Sequence, residues 1–243
     1  MDKTAKIRLY VDADLGTGQA VAMSREQAHY LFGVMRLEKG ALVALFNGRD
    51  GEWQAEVIVA NKRNAVLECH RQSKPLQMPP DLWFLFAPIK KARTDFIVEK
   101  AAEMGAARIM PVQTAFTQSE RMRQDRLQAH ALEAAEQCGG TYVPEVTDLA
   151  KLDKVLADWP ADRQLLFCDE TRVGQAASDL SQLSRGPWAI LIGPEGGFSA
   201  AEVERLRAMA GVHSISLGPR ILRADTAAVA ALALWQRALG DWV

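Results

Sequence analysis

The larger, carboxyl-terminal part of this 243-residue chain predicts an α/β domain on a mostly parallel sheet, preceded by a small β-rich domain. Three observations carry that prediction. From residue 82 onward, apolar strands alternate with helical patterns, the order that builds parallel sheets. Before residue 73, short apolar or alternating runs are broken by turn residues, the pattern of a small all-β unit. Near the C-terminus two glycine-proline bends, at Gly193-Pro194 and Gly218-Pro219, each follow an apolar strand and precede a helix. In open α/β sheets ligands sit beyond the carboxyl ends of strands, so both bends are read as walls of one pocket.

Residues 1–73 form the first expected domain. Ile7–Val11, Ala41–Phe46, Trp53–Ala60 and Ala65–His70 read as strands, with turns at 47–51 and 61–64. One helix interrupts them, capped by Ser24 with Gln27 three residues on, and striped by Tyr30, Leu31 and Val34. Short strands closed on themselves predict a small barrel. The proline-rich stretch 74–81 is the expected linker. Residues 82–243 form the second domain. Its expected elements are a strand over 82–87, a helix over 94–104 capped by Thr94, and a strand over 108–112. A helix over 122–137, ended by Gly139-Gly140, and a strand over 164–168 come next. Strands 188–192 and 213–217 lead into the two bends. Ser199 and Glu202 form a capping box for the helix after the first, and an apolar helix ends the chain.

Composition narrows the function. A net charge of -1 excludes a uniformly basic nucleic-acid binder, so any polyanion site is a local patch. Three widely spaced cysteines, Cys69, Cys138 and Cys168, fit neither a disulfide framework nor a metal site and point to a reducing, cytoplasmic setting. The polar N-terminus lacks a signal-peptide core, and the apolar run 227–235 is too short to span a bilayer. No cysteine or histidine has a base or metal partner in sequence, so nucleophilic and metal catalysis are unsupported.

The bends are neither a P-loop nor a dinucleotide fingerprint, since Gly-Lys-Ser/Thr is missing and the glycine spacing differs. Either bend alone also reads as a structural turn. Glu195 reads as a pocket anchor or a solvated carboxylate. Asp225 reads as a helix-dipole partner or a site group. Arg223 is a cation at a helix N-terminus, where the dipole disfavours it, so a ligand role is expected. Lys90, Lys91 and Arg93 follow a strand end and read as a solvated run or as phosphate contacts. Arg8, His29 and Arg36 are further RNA-contact candidates, and part of the last helix is expected at a subunit interface.

Several stretches carry a family resemblance: Arg8-Leu-Tyr-Val, His29 through Arg36 to Gly40, and Lys91 through Gly105. Glu133 through Gly139, Leu191 through Ser199, and Leu217 through Arg223 complete the set. In these the chain resembles the RsmE family of 16S ribosomal RNA uridine-N3 methyltransferases, in the SPOUT superfamily. The resemblance implies a PUA-like RNA-binding barrel followed by a SPOUT domain whose C-terminal stretch forms a deep trefoil knot. It implies S-adenosylmethionine as methyl donor and no metal. Ile192, Gly193, Pro194, Glu195 and Gly196 would form one wall of the donor site, and Leu217, Gly218, Ile221, Leu222 and Thr226 the other. Arg223, with Glu195 or Asp225, is the expected catalytic set. The expected partners are 16S rRNA within the small subunit and a second copy of the chain. Asp225 stands where many relatives have Glu, and Gly140 and the stretch 115–117 where relatives often carry Arg. Alternatives are a ribose 2′-O-methyltransferase, a non-catalytic RNA-binding or ribosome-assembly protein on this fold, and an unrelated nucleotide-binding α/β enzyme.

Overall fold

The computed structural model describes residues 5–118, 122–176 and 178–242, and they divide into two compact units. The first comprises Met1–Met78 together with Ala135–Val143, and the second Pro79–Ala134 together with Pro144–Val243.

The first unit holds five strands: β1 (Arg8–Tyr10), β2 (Ala20–Ala22), β3 (Leu42–Phe46), β4 (Glu52–Val59) and β5 (Val66–Lys74). They form one sheet in the order β1-β3-β4-β5-β2. Alternation along β4 and β5 sends Ala55, Val57, Leu67 and Cys69 into the core, where all four are fully buried. Helix α1 (Arg25–His29) starts at a complete capping box: the Ser24 hydroxyl accepts from the Gln27 N–H, and the Gln27 side chain accepts from the Ser24 N–H. It runs into a π turn over Tyr30–Val34, which leaves Arg36 at a φ of 54°. The sequence marked neither β2 nor this turn.

In the second unit β6 (Leu82–Phe86), β7 (Arg108–Gln113), β8 (Glu145–Val146), β9 (Ala150–Lys151), β10 (Gln164–Cys168), β11 (Trp188–Ile192) and β12 (Val212–Ile215) make one parallel sheet. Its order is β12-β10-β11-β6-β7-β8, with β9 against β7. The strand β11, Trp-Ala-Ile-Leu-Ile, is buried at every position, as expected of a parallel strand covered on both faces. Phe84, Phe86, Trp188, Ile190 and Ile192 point to one core, shared with helices α2 (Lys91–Glu103), α3 (Gln124–Cys138) and α6 (Ala224–Ala238). Leu85, Ala189, Leu191, Leu165 and Phe167 point to the other, under α4 (Leu152–Ala157) and α5 (Ala200–Ala208). The chain is therefore an α/β/α layering in this unit.

One expected cap is corrected. Helix α2 begins at Lys91 with Lys90 in the capping position, so Thr94 lies inside the first turn. Thr94 is buried; its hydroxyl accepts from the Ile89 N–H and donates to the Ile89 carbonyl. The hydroxyl closes the preceding loop instead of capping the helix.

Arg8 organises the first unit. Its Nε donates to Glu52 at 2.6 Å, and its Nη1 donates to the carbonyls of Ala135 at 2.6 Å and Glu136 at 3.2 Å. Its Nη2 donates to the carbonyl of Gly140, and the guanidinium lies 3.6 Å over the Phe46 ring. The last carbonyls of α3 are thus met by a cation, which also suits the helix dipole. Burial raises the Glu52 carboxyl, but hydrogen bonds from Arg8 and Ser73 and the charges of Lys74 and Arg8 outweigh it and hold it below the ordinary 4.5. A carboxyl lowered on folding stabilises the native state above its unfolded pKa, and the contribution is lost as pH falls through the folded value. Arg8→Ala is expected to cost about 3–5 kcal/mol, because it strands a buried carboxylate. Glu52→Gln should flatten the loss of stability below pH 4.5 in denaturant titrations run across pH.

Candidate functional site

The strands β12, β10 and β11 are neighbours, and their parallel register ends them at one level. Leu165 faces Ala189 on one side and Val212 on the other, and Phe167 faces Leu191 and Ser214. The chain leaves these three ends at Asp169, Gly193 and Ser216. The three exits line a single cavity of about 520 Å³, within the usual ~300–1,000 Å³ of small-molecule sites.

The first bend forms its wall by packing. The Gly197 N–H donates to the Pro194 carbonyl at 2.9 Å, and Gly197 takes a φ of 71°. A Cβ on Gly193 would lie 2.5 Å from the Phe198 ring, so glycine here makes room for an aromatic side chain of its own loop. Phe198 meets Phe167 edge-on at 5.1 Å, and its N–H donates to Glu170 at 2.8 Å. Ser199 and Glu202 form the expected capping box of α5, and Glu202 also accepts from the Ala115 N–H.

The second bend rests on Ser216. Its buried hydroxyl accepts from the Gly218 N–H at 3.1 Å, and its own N–H donates to the Ser178 hydroxyl. Gly218 has a φ of 114°, which side-chain-bearing residues rarely adopt. Beyond it Ile221 is 81% exposed, and Arg223 occupies the capping position of α6 without a side-chain cap.

Of the residues expected to hold a ligand, Ile192, Gly193, Pro194, Glu195, Gly196, Leu217, Gly218, Ile221 and Leu222 line the cavity, as does Arg223. Thr226 and Asp225 lie outside the lining; the Asp225 carboxylate accepts from the Thr226 N–H at 2.8 Å. Glu195 and Asp225 meet through Arg93, which donates to Glu195 at 2.5 Å and lies 3.7 Å from Asp225. Lys90 and Lys91 are exposed at the start of α2. In the first unit His29 and Arg36 are exposed, whereas the Arg8 side chain is 14% exposed within the network described above.

Sequence reasoning missed Asp169 and Glu170. Asp169 is fully enclosed and accepts from the Thr171 N–H and hydroxyl and from both Nε and Nη2 of Arg207. A carboxylate pair directly after an apolar strand was the available signal. Cys168 also lines the cavity, but burial pushes its thiol up, so it stays protonated and unreactive at neutral pH. Among the described residues no group of three or more potential ligands could hold a metal ion, and no helix is long and apolar enough to cross a membrane.

Gly218→Ala is expected to destabilise the chain by about 1–3 kcal/mol through backbone strain. Gly193→Ala should open the Phe167–Phe198 contact, read as altered Phe198 ring resonances in NMR spectra of the folded variant.

Comparison with known proteins agrees with this construction. Residues 76–236 match the family model described as RNA methyltransferase domain, and residues 24–68 match RNA methyltransferase PUA domain. A relative from Rickettsia conorii named ribosomal RNA small subunit methyltransferase E is 29% identical, over 93% of both chains. The crystal structure of a ribosomal RNA small subunit methyltransferase E from Neisseria gonorrhoeae bound to S-adenosyl methionine has a TM-score of 0.84 at 26% identity. It covers 98% of this chain and 99% of that one. A Legionella pneumophila structure, Lpg2936, in complex with its bound cofactor SAM, has a TM-score of 0.86 at 29% identity, covering 98% and 100%. With a parallel sheet whose bends enclose one cavity and a family model spanning residues 76–236, the chain belongs to the RNA methyltransferase family.

Proposed function

We propose that this chain transfers a methyl group from S-adenosylmethionine to N3 of a uridine in 16S ribosomal RNA of the small subunit. The observation that carries the reading is the shared cavity, because both bends and the end of β10 contribute to it. Its lining fits the donor. Ile192, Ile215, Leu217, Leu222 and Ala227 offer apolar surface for a flat base, and Glu170 and Glu195 offer negative charge to a cationic ligand. A bound S-adenosylmethionine supplies an electrophilic methyl group on a sulfonium.

The chain's own residues do the rest. Uracil N3 carries a weakly acidic proton, and its lone pair becomes useful as that proton leaves. Arg223 stands at the cavity and has no hydrogen-bond or ion-pair partner for its guanidinium among the described residues. In this reading it stabilises negative charge on the carbonyls beside N3. Glu195, Asp225 or a water accepts the proton. The target base is presented unstacked, and positioning against the donor supplies much of the rate.

The same reading assigns 1–73 as the PUA-like RNA-binding domain, 74–81 as a linker and 82–243 as the SPOUT domain with its C-terminal stretch knotted. Arg36, Lys90 and Lys91 are exposed cations and His29 an exposed imidazole, all suited to phosphate contact. A homodimer is supported by α6, where Val229, Ala230 and Ala233 stay half-exposed while Ala228, Ala231, Leu232 and Trp235 fill the core. The site of action is the cytoplasm, where ribosomal subunits are assembled.

Small subunits lacking the modification, incubated with the chain and S-adenosylmethionine carrying a labelled methyl group, are expected to yield labelled N3-methyluridine on nucleoside analysis. Label on a ribose 2′-oxygen, or none, overturns the reading. Arg223→Ala should lower single-turnover methylation about 10²–10³-fold while calorimetric donor affinity changes less than about threefold.

A further inference from the structure

Helix α2 opens with an electrostatic mismatch. Its first turn contains Lys91 and Arg93 and no acidic residue, although the dipole there favours anions. The missing carboxylates come from elsewhere in the chain. Arg93 Nη1 donates to Glu195, in the first bend, at 2.5 Å, and Arg93 Nε lies 3.7 Å from Asp225, in the first turn of α6. Glu195 lines the cavity, and Asp225 follows its lining residues Arg223 and Ala224. One guanidinium therefore joins two segments that are remote in sequence and adjacent at the cavity. Both edges of a planar guanidinium are used, which an ammonium cannot reproduce.

We propose that Arg93 is a positioning residue that clasps the donor cavity, fixing the first bend against the start of α6. The proposal rests on the cavity being the methyl-donor site. Arg93 touches neither donor nor RNA in this role; it acts through Glu195 and Asp225. With side chains 31%, 48% and 20% exposed for Arg93, Glu195 and Asp225, the ion pairs add little to global stability. Their effect falls on the order of the cavity wall, and a wall that must be ordered on binding weakens affinity.

The test is calorimetric binding of S-adenosylmethionine to the full chain and to R93A, R93K, E195Q and R93A/E195Q. Filter binding of 16S rRNA at several salt concentrations accompanies it, with thermal midpoints as the folding control. R93A is expected to lower donor affinity about tenfold with a midpoint within about 3 °C of wild type. R93K should fall between the two, and R93A should cost less than about twofold when added to E195Q, because the clasp is already open. RNA affinity and its salt dependence should be unchanged. Unchanged donor affinity in R93A overturns the proposal, as do losses that multiply independently in the double variant. A salt slope reduced by about one in R93A, with donor affinity intact, would make Arg93 a phosphate contact instead. If the wild-type chain itself takes up no donor, the reading of the cavity falls and the clasp with it, an outcome distinct from a defect confined to R93A.

Discussion

The parallel register of β10 against both β11 and β12 is the constraint on which the site depends. Those strands pair at Leu165–Ala189–Val212 and again two residues on, so their carboxyl ends lie side by side. A slip of one residue would turn Trp188, Ile190 and Ile192 out of one core and into the other. It would also separate the exits at Asp169, Gly193 and Ser216. Both faces of the sheet are filled by large side chains, so the register is strongly held. Everything at the cavity, from the Phe198 wedge to the Ser216 hydroxyl, is attached to those ends.

On that frame the electrostatics are uneven. Two helices, α2 and α6, start near the cavity with a cation at or beside the N-terminus. The Arg93 guanidinium is met by two carboxylates, while Arg223 has no such partner among the described residues. The same unfavourable placement thus has two outcomes, one internal to the protein and one directed at the open cavity. Asp169 is the opposite case, a carboxylate held entirely by Arg207 and Thr171.

Much of this was legible in the chain. The apolar runs 82–87, 164–168 and 188–192, the capping box at Ser199 and the two Gly-Pro bends each carry a local signal, and each corresponds to an observed element. The order of strands was not legible, because nothing local distinguishes β12-β10-β11-β6 from other arrangements of similar runs. Glu170 escaped notice for that reason: its importance comes from accepting the Phe198 N–H, 28 residues away. Gly193 lines the cavity as expected, but what its absent Cβ makes room for is Phe198, which no local signal shows. Thr94 has the right chemistry for a cap, yet the helix extends to Lys91 and the hydroxyl faces Ile89. The pairing of Arg93 with Glu195 joins residues 102 apart, beyond the reach of any spacing rule.

The Arg8 network makes the first unit discontinuous in sequence, since it takes in Ala135–Val143. On the translating ribosome, that unit cannot complete its hydrogen bonding when its last strand emerges. Arg8 can meet Glu52 at once, but its bonds to the carbonyls of Ala135, Glu136 and Gly140 form only after those residues have been synthesised, a delay of several seconds at ~5–20 residues per second. During that interval part of the Arg8 guanidinium's hydrogen-bonding capacity goes unmet within the chain. The first unit is therefore finished by its own distant segment, Ala135–Val143, and matures only once that segment exists.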